Sequence, residues 1–135
     1  MLPRPRLPGE RLIVALDMPD AVEASALATR LAPHIGLVKL GLELFCTEGP
    51  ALLPRLSATA PVFLDLKLHD IPNTVAGAVR SLAPLGAAML TLHAGGGPAM
   101  IEAARDAIEG QPDRPVLLAV TVLTSLDAEA LGLMG

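Results

Sequence analysis

Five short apolar stretches, each followed by a segment of helical pattern rich in alanine and leucine, recur along this chain of 135 residues at intervals of about 25 to 30. No other feature narrows the possible folds so far. The stretches are Leu12 to Asp17 (LIVALD), Gly36 to Leu40 (GLVKL), Val62 to Lys67 (VFLDLK), Ala87 to His93 (AAMLTLH) and Val116 to Leu123 (VLLAVTVL). They are largely apolar and bounded by Gly or Pro, as strands covered on both faces are. Helices are predicted at Pro19 to Leu31, Glu48 to Ser57, Pro72 to Leu82 and Pro98 to Glu109, and a further one starts over Asp127 to Leu133. A proline stands near the start of each of the first four, where its missing N–H is no loss. Strands that alternate with helices imply parallel βαβ units with right-handed crossovers. The chain carries no internal repeat, low-complexity segment or interdomain linker.

Composition excludes several functions. At 52% hydrophobic residues the chain can bury the core of one domain. A net charge of −4, scattered Lys and Arg, and only two Phe leave no basic or stacking surface for nucleic acid. No apolar run approaches the roughly 20 residues of a membrane span. The single Cys46 forms no internal disulfide and fits a reducing compartment. The N-terminal MLPRPRLPGER lacks a long apolar segment, so residues 1–10 read as a flexible arm on a cytoplasmic protein and residues 11–135 as the folded part.

Polar residues gather where the predicted strands end. Strand one ends in Asp17, strand two carries Lys39, strand three Asp65 and Lys67, strand four His93, and strand five runs into Thr124. In parallel α/β folds the carboxyl edge of the sheet is where ligands bind. Five polar strand ends out of five therefore suggest a site.

Strand three says most. Side chains two apart share a face of a strand, so Asp65 and Lys67 should project together, with Phe63 one layer below and Asp70 beyond the strand end. Two carboxylates 4 Å apart repel by about 4 kcal/mol at an effective dielectric of 20. A lysine between them offsets that repulsion and is held cationic. Such an array suits proton donation beside a fixed negative charge, and it does not suit lysine as a nucleophile. Structural readings stand beside these. Asp70 or Asn73 would cap the helix at Pro72, Asp65 and Lys67 would form a structural ion pair, and Asp17 would open a loop. His93 reads as a hydrogen-bonded core residue, and Gly95 to Gly97 as a turn or a phosphate cradle. Lys39, in an apolar strand, is harder to explain structurally, because lone buried lysines are rare.

The segments LIVALD, VKLGLELF, FLDLKLHDIPNT and AVTVLTS, in this order and spacing, resemble the bacterial orotidine 5′-phosphate decarboxylase family. Related sugar-phosphate decarboxylases and synthases share the Asp-x-Lys-x-x-Asp element, and the continuation Ile71-Pro72-Asn73-Thr74 narrows the match. The resemblance implies a parallel (β/α)8 TIM barrel, of which this chain supplies about five strands and four to five helices. It further implies a homodimer with sites at the subunit interface, a nucleotide substrate, and no cofactor or metal. The activity implied is decarboxylation of orotidine 5′-phosphate to uridine 5′-phosphate, the last step of de novo pyrimidine nucleotide synthesis. Lys67 would donate the proton to C6, and Asp65 would face the substrate carboxylate. Lys39 would link the charged array to the ribose, Asp17 would hold a ribose hydroxyl, and Thr124 would contact the pyrimidine edge. Asp70 and Thr74, with Ile71 beside them as a substrate contact, would reach the neighbouring subunit's site, and Asp70 would complete a Lys39–Asp65–Lys67–Asp70 chain across the interface.

An eight-stranded barrel typically takes about 250 residues. Residues 11–135 are therefore expected to form a partial barrel lacking its C-terminal strands. The phosphate-gripping glutamine and arginine of the family have no counterpart here, so the 135 residues alone are expected to be inactive. Two alternatives are a metal-dependent sugar-phosphate decarboxylase or synthase of the same superfamily, and a non-catalytic partial barrel.

Overall fold

The computed structural model describes residues 5–133. Strands β1 (Ile13–Ala15), β2 (Leu37–Gly41), β3 (Val62–Leu68), β4 (Ala87–His93) and β5 (Val116–Val120) form one sheet in the order 1-2-3-4-5. All four pairings are parallel. Each strand lies beside its neighbour in sequence, which is the connectivity of a (β/α) barrel; a doubly wound sheet reverses its order at a switch point. The chain forms a five-strand sector of such a barrel.

Helices α1 (Ala21–Leu31), α2 (Leu42–Glu48), α3 (Leu52–Ser57), α4 (Pro72–Leu82), α5 (Gly97–Asp106) and α6 (Ala128–Gly132) connect or follow the strands. The core lies between the sheet's outer face and the helices. Val38, Leu40, Val62, Leu64, Leu90 and Leu92 point outward and are fully covered. Against them pack Ala24 and Ala28 of α1, Leu52, Leu53 and Leu56 of α3, Val75 and Val79 of α4, and Met100 and Ala104 of α5. Alanines on α1 and α5 let the helix backbones come close to the sheet. The leucines fill the wider gaps.

Several predicted boundaries move for local reasons. The first helix begins at Ala21, not Pro19, because Asp20 caps it by accepting the N–H groups of Val22 and Glu23 at 2.8 and 2.9 Å. The helix expected from Glu48 to Ser57 is the shorter α3, and before it lies an unpredicted helix, α2, which starts directly at the end of β2 and stops where Gly49 (φ +75°) turns the chain. Glu48, the last residue of α2, ties that helix to the start of α1 by accepting Ala21 N–H at 3.1 Å. β1 and β5 are shorter than predicted, so Asp17 and Thr124 lie in the loops after them. Of the expected arm, residues 1–4 fall outside the described residues. Gly9–Arg11 form a 3-10 turn whose backbone lies against that of His34 to Gly36, so close that a Cβ on Gly9 or Gly36 would strike a carbonyl. No helix among the described residues is long and apolar enough to cross a membrane.

β3 departs from regular pairing at its carboxyl end. Leu64 faces Leu90 and Leu68 faces Leu92, so four steps along β3 match two along β4. This bulge lies at the residues that carry the charges.

Candidate active site

β2 and β3 place two lysines around one aspartate. Lys39 lies beside Phe63 in the β2–β3 register, and Asp65 follows on the same face of the sheet. Lys67 Nζ donates to both carboxylate oxygens of Asp65, at 2.8 and 3.0 Å. Lys39 Nζ lies 3.8 Å from the other side of Asp65 and 3.6 Å from Asp17. In space the charges alternate Asp17, Lys39, Asp65, Lys67. Asp65 is thus held between two ammonium groups, and Asp70 of the same chain does not join them.

Burial is graded along this line. The Asp65 side chain is 13% exposed, Lys39 25%, Lys67 39%, and Asp17 stands in solvent. Burial, the largest single influence on Asp65, pushes its carboxyl pKa up. Hydrogen bonds from Lys67 Nζ and the Thr91 hydroxyl, with the charges of Lys67 and Lys39, outweigh it, so the pKa falls below the ordinary aspartate value. The site therefore contains a carboxylate kept ionised, and beside it an ammonium whose outer side is open.

Asp65 and Lys67 do share a face, as alternation predicts, but a regular strand is not what places Lys67. Its φ is +49°, the left-handed region, at a cost of about 1–2 kcal/mol for a residue with a Cβ. The bulge also removes its N–H from the ladder, and the hydroxyl of Thr91 on β4 takes it at 2.8 Å. The same hydroxyl donates to Asp65 Oδ1 at 3.0 Å. Sequence reasoning does not single out Thr91. The one signal available is a lone hydroxyl in the apolar run Met89-Leu90-Thr91-Leu92.

Asp65 and Lys67 separate two cavities at the carboxyl edge of the sheet. One, of about 210 Å³, is lined by Asp17, Lys39, Gly41 and Glu43 as well as the pair itself. The other, of about 810 Å³, opens along the sheet's inner face past Phe63, Thr91, Thr124 and Ser125. Five of the sequence-predicted residues thus meet at one place: Asp17, Lys39, Asp65, Lys67 and Thr124.

The remaining candidates stand apart. Asp70, Ile71 and Thr74 are exposed at the start of α4. Neither Asp70 nor Asn73 caps that helix; Ile71 holds the cap position with no side-chain bond, and Asp70 Oδ1 accepts Ile71 N–H at 2.6 Å. His93 is half-buried, accepts Gly95 N–H at its Nδ1, and stacks on His69 with ring centres 5.0 Å apart. That pair joins the loop after β3 to the end of β4. Gly95 belongs to a 3-10 turn, Ala94–Gly96, packed on α5, so this stretch is a turn. Among the described residues no three His, Cys, Asp or Glu side chains converge as a metal-holding group.

Residues 10–134 match the orotidine 5′-phosphate decarboxylase / HUMPS family. The chain is 54% identical over 129 residues to an orotidine 5′-phosphate decarboxylase of Anaeromyxobacter sp. (strain K), covering 95% of this chain and 56% of that protein. It is 59% identical over 116 residues to the enzyme of that name from Alkalilimnicola ehrlichii, covering 85% and 49%. The crystal structure of orotidine 5′-phosphate decarboxylase from Lactobacillus acidophilus superposes with a TM-score of 0.81 at 40% identity, over 90% of this chain and 57% of that one. The chain spans about half the length of the relatives it matches.

Proposed function

This chain belongs to the orotidine 5′-phosphate decarboxylase / HUMPS family, and we propose that the protein decarboxylates orotidine 5′-phosphate to uridine 5′-phosphate. One observation carries the reading at the level of chemistry. An ammonium and a carboxylate kept ionised sit 2.8 Å apart at the mouth of the sheet, each bordering space that a ligand can enter.

When carbon dioxide leaves C6 of the pyrimidine, the electron pair of the broken C–C bond stays on C6, where simple resonance does not spread it. A cation already in place stabilises that charge as it develops. Lys67 Nζ then gives C6 a proton, becomes neutral, and regains a proton from water. Asp65 has two tasks in this scheme. It orients the ammonium through the two-oxygen contact, and its negative charge faces the carboxylate that departs. Lys39 holds Asp65 from the other side and reaches toward Asp17, where the sugar hydroxyls lie; Thr124 borders the base. No metal or cofactor enters these steps.

The protein works as a homodimer in this reading. Asp70, Ile71 and Thr74, exposed here at the start of α4, reach the neighbouring subunit's site, and Asp70 extends the charge alternation beyond Lys67. Lone Cys46, on the surface of α2, suits a cytoplasmic setting.

Replacing Lys67 with alanine in the complete enzyme tests the assignment. Turnover, followed by loss of substrate absorbance, is expected to fall by at least about 1,000-fold with an unchanged circular dichroism spectrum. Near-normal turnover would remove Lys67 as proton donor.

A further inference from the structure

Thr91 is the one polar residue buried as a whole among the described residues, at 2% exposure. A threonine hydroxyl has one proton to give and two lone pairs to receive with. Here the proton goes to Asp65, and a lone pair takes the backbone N–H of Lys67. One atom on β4 thus holds both members of the central ion pair, one by its side chain and the other by its main chain.

The second bond compensates for the bulge in β3. With four steps along β3 set against two along β4, the Lys67 N–H has no strand carbonyl to reach, and a buried amide left unpaired is unfavourable. Lys67 also adopts a backbone conformation that most residues avoid, and such conformations persist where surroundings over-determine them. The Thr91 hydroxyl is such a surrounding. Straightening Lys67 would break its bond to Thr91, and turning Thr91 away would release Asp65 as well.

We propose that Thr91 is a positioning residue of this site, its hydroxyl locking the left-handed turn at Lys67 to the Asp65 carboxylate so that the ammonium projects at one fixed angle. Its part in catalysis rests on the reading given under Proposed function; its part in the geometry does not. Valine has the shape of threonine and neither hydrogen bond, so it removes both ties with little change in packing volume. Serine keeps both ties and loses a methyl group.

Two measurements on Thr91→Val and Thr91→Ser separate these roles. In the 135-residue chain without substrate, NMR reads amide exchange at Lys67 and titration of the Asp65 carboxyl carbon. Exchange at Lys67 is expected to rise at least tenfold in Thr91→Val, with Asp65 titrating nearer the ordinary aspartate range, and Thr91→Ser is expected to behave like the parent. In the active enzyme, kcat of Thr91→Val should drop by about 100-fold, as for a misplaced reacting group, with KM little changed and most of the loss restored by serine. Unchanged Lys67 exchange and Asp65 titration in Thr91→Val would overturn the proposal. So would a serine variant as impaired as the valine one, because size and not the hydroxyl would then matter. If Thr91→Val does not fold, an unprotected Lys67 amide in the parent chain overturns it and a protected one, retained in Thr91→Ser, supports it. Absence of turnover in an enzyme that carries all eight barrel strands would sink the functional reading, and the NMR result would still decide the role of Thr91.

Discussion

Replacing Asp65 with asparagine keeps the side chain's shape and deletes the charge between two ammonium groups. The size of the effect follows from the distances. At an effective dielectric of 20, a cation 2.8 Å away attracts the carboxylate by about 6 kcal/mol and one 3.8 Å away by about 4 kcal/mol. These are gross values. Removing a carboxylate that is 13% exposed also removes its desolvation penalty, and water screens Lys67, which is 39% exposed. Exposed pairs contribute up to about 1 kcal/mol and broken buried pairs cost about 3–5 kcal/mol, so a loss of about 2–3 kcal/mol near pH 7 is expected. Urea unfolding at constant m-value measures it. The pH dependence has a definite sign. The folded-state pKa of Asp65 lies below its ordinary value of 3.8, so its contribution is complete above that pH and disappears as pH falls through the lowered folded value. Parent and Asp65→Asn stabilities should therefore converge in strong acid. A neutral or stabilising effect at pH 7, or a difference independent of pH, would refute this account of the ion pair.

Two smaller predictions concern the pocket and its chemistry. A methyl group on Gly41 would lie 3.6 Å from Lys39 Nζ and 3.7 Å from Asp17 Oδ1, ordinary contact distances, inside the cavity assigned to the sugar. Gly41→Ala should thus fold with stability changed by less than about 0.5 kcal/mol and raise KM for the nucleotide, read by steady-state kinetics; an unchanged KM would place the sugar elsewhere. Chelator treatment should leave turnover intact, and loss of activity restored by a divalent cation would favour the metal-dependent superfamily alternative.

Much of this architecture is readable from residues alone. β4 and α4 occupy the predicted spans because Gly86 and Pro72 mark their starts unambiguously, and the LIVALD and VFLDLK runs announce strands by their apolar continuity. α2 escapes notice because it begins on the strand's last glycine with no polar cap to mark it. The meeting of Asp17, Lys39, Asp65 and Lys67 follows from one rule, that polar residues at strand ends share the carboxyl edge. The bulge does not follow from any local rule. Leu64-Asp65-Leu66-Lys67-Leu68 alternates perfectly, and only pairing with β4 reveals the two additional residues. Thr91 is hidden for the same reason: a threonine in a strand is ordinary, and its partners are 24 and 26 residues away.

The central claim concerns where the Lys67 ammonium stands relative to the carbon that loses carbon dioxide. A crystal structure of the active enzyme with uridine 5′-phosphate bound measures that separation directly. Lys67 Nζ is predicted about 3–3.5 Å from C6, the range of a reacting pair, with the ribose on the Asp17–Lys39 side. A pyrimidine seated with C6 beyond about 6 Å from that nitrogen, out of reach of direct proton transfer, would contradict the account.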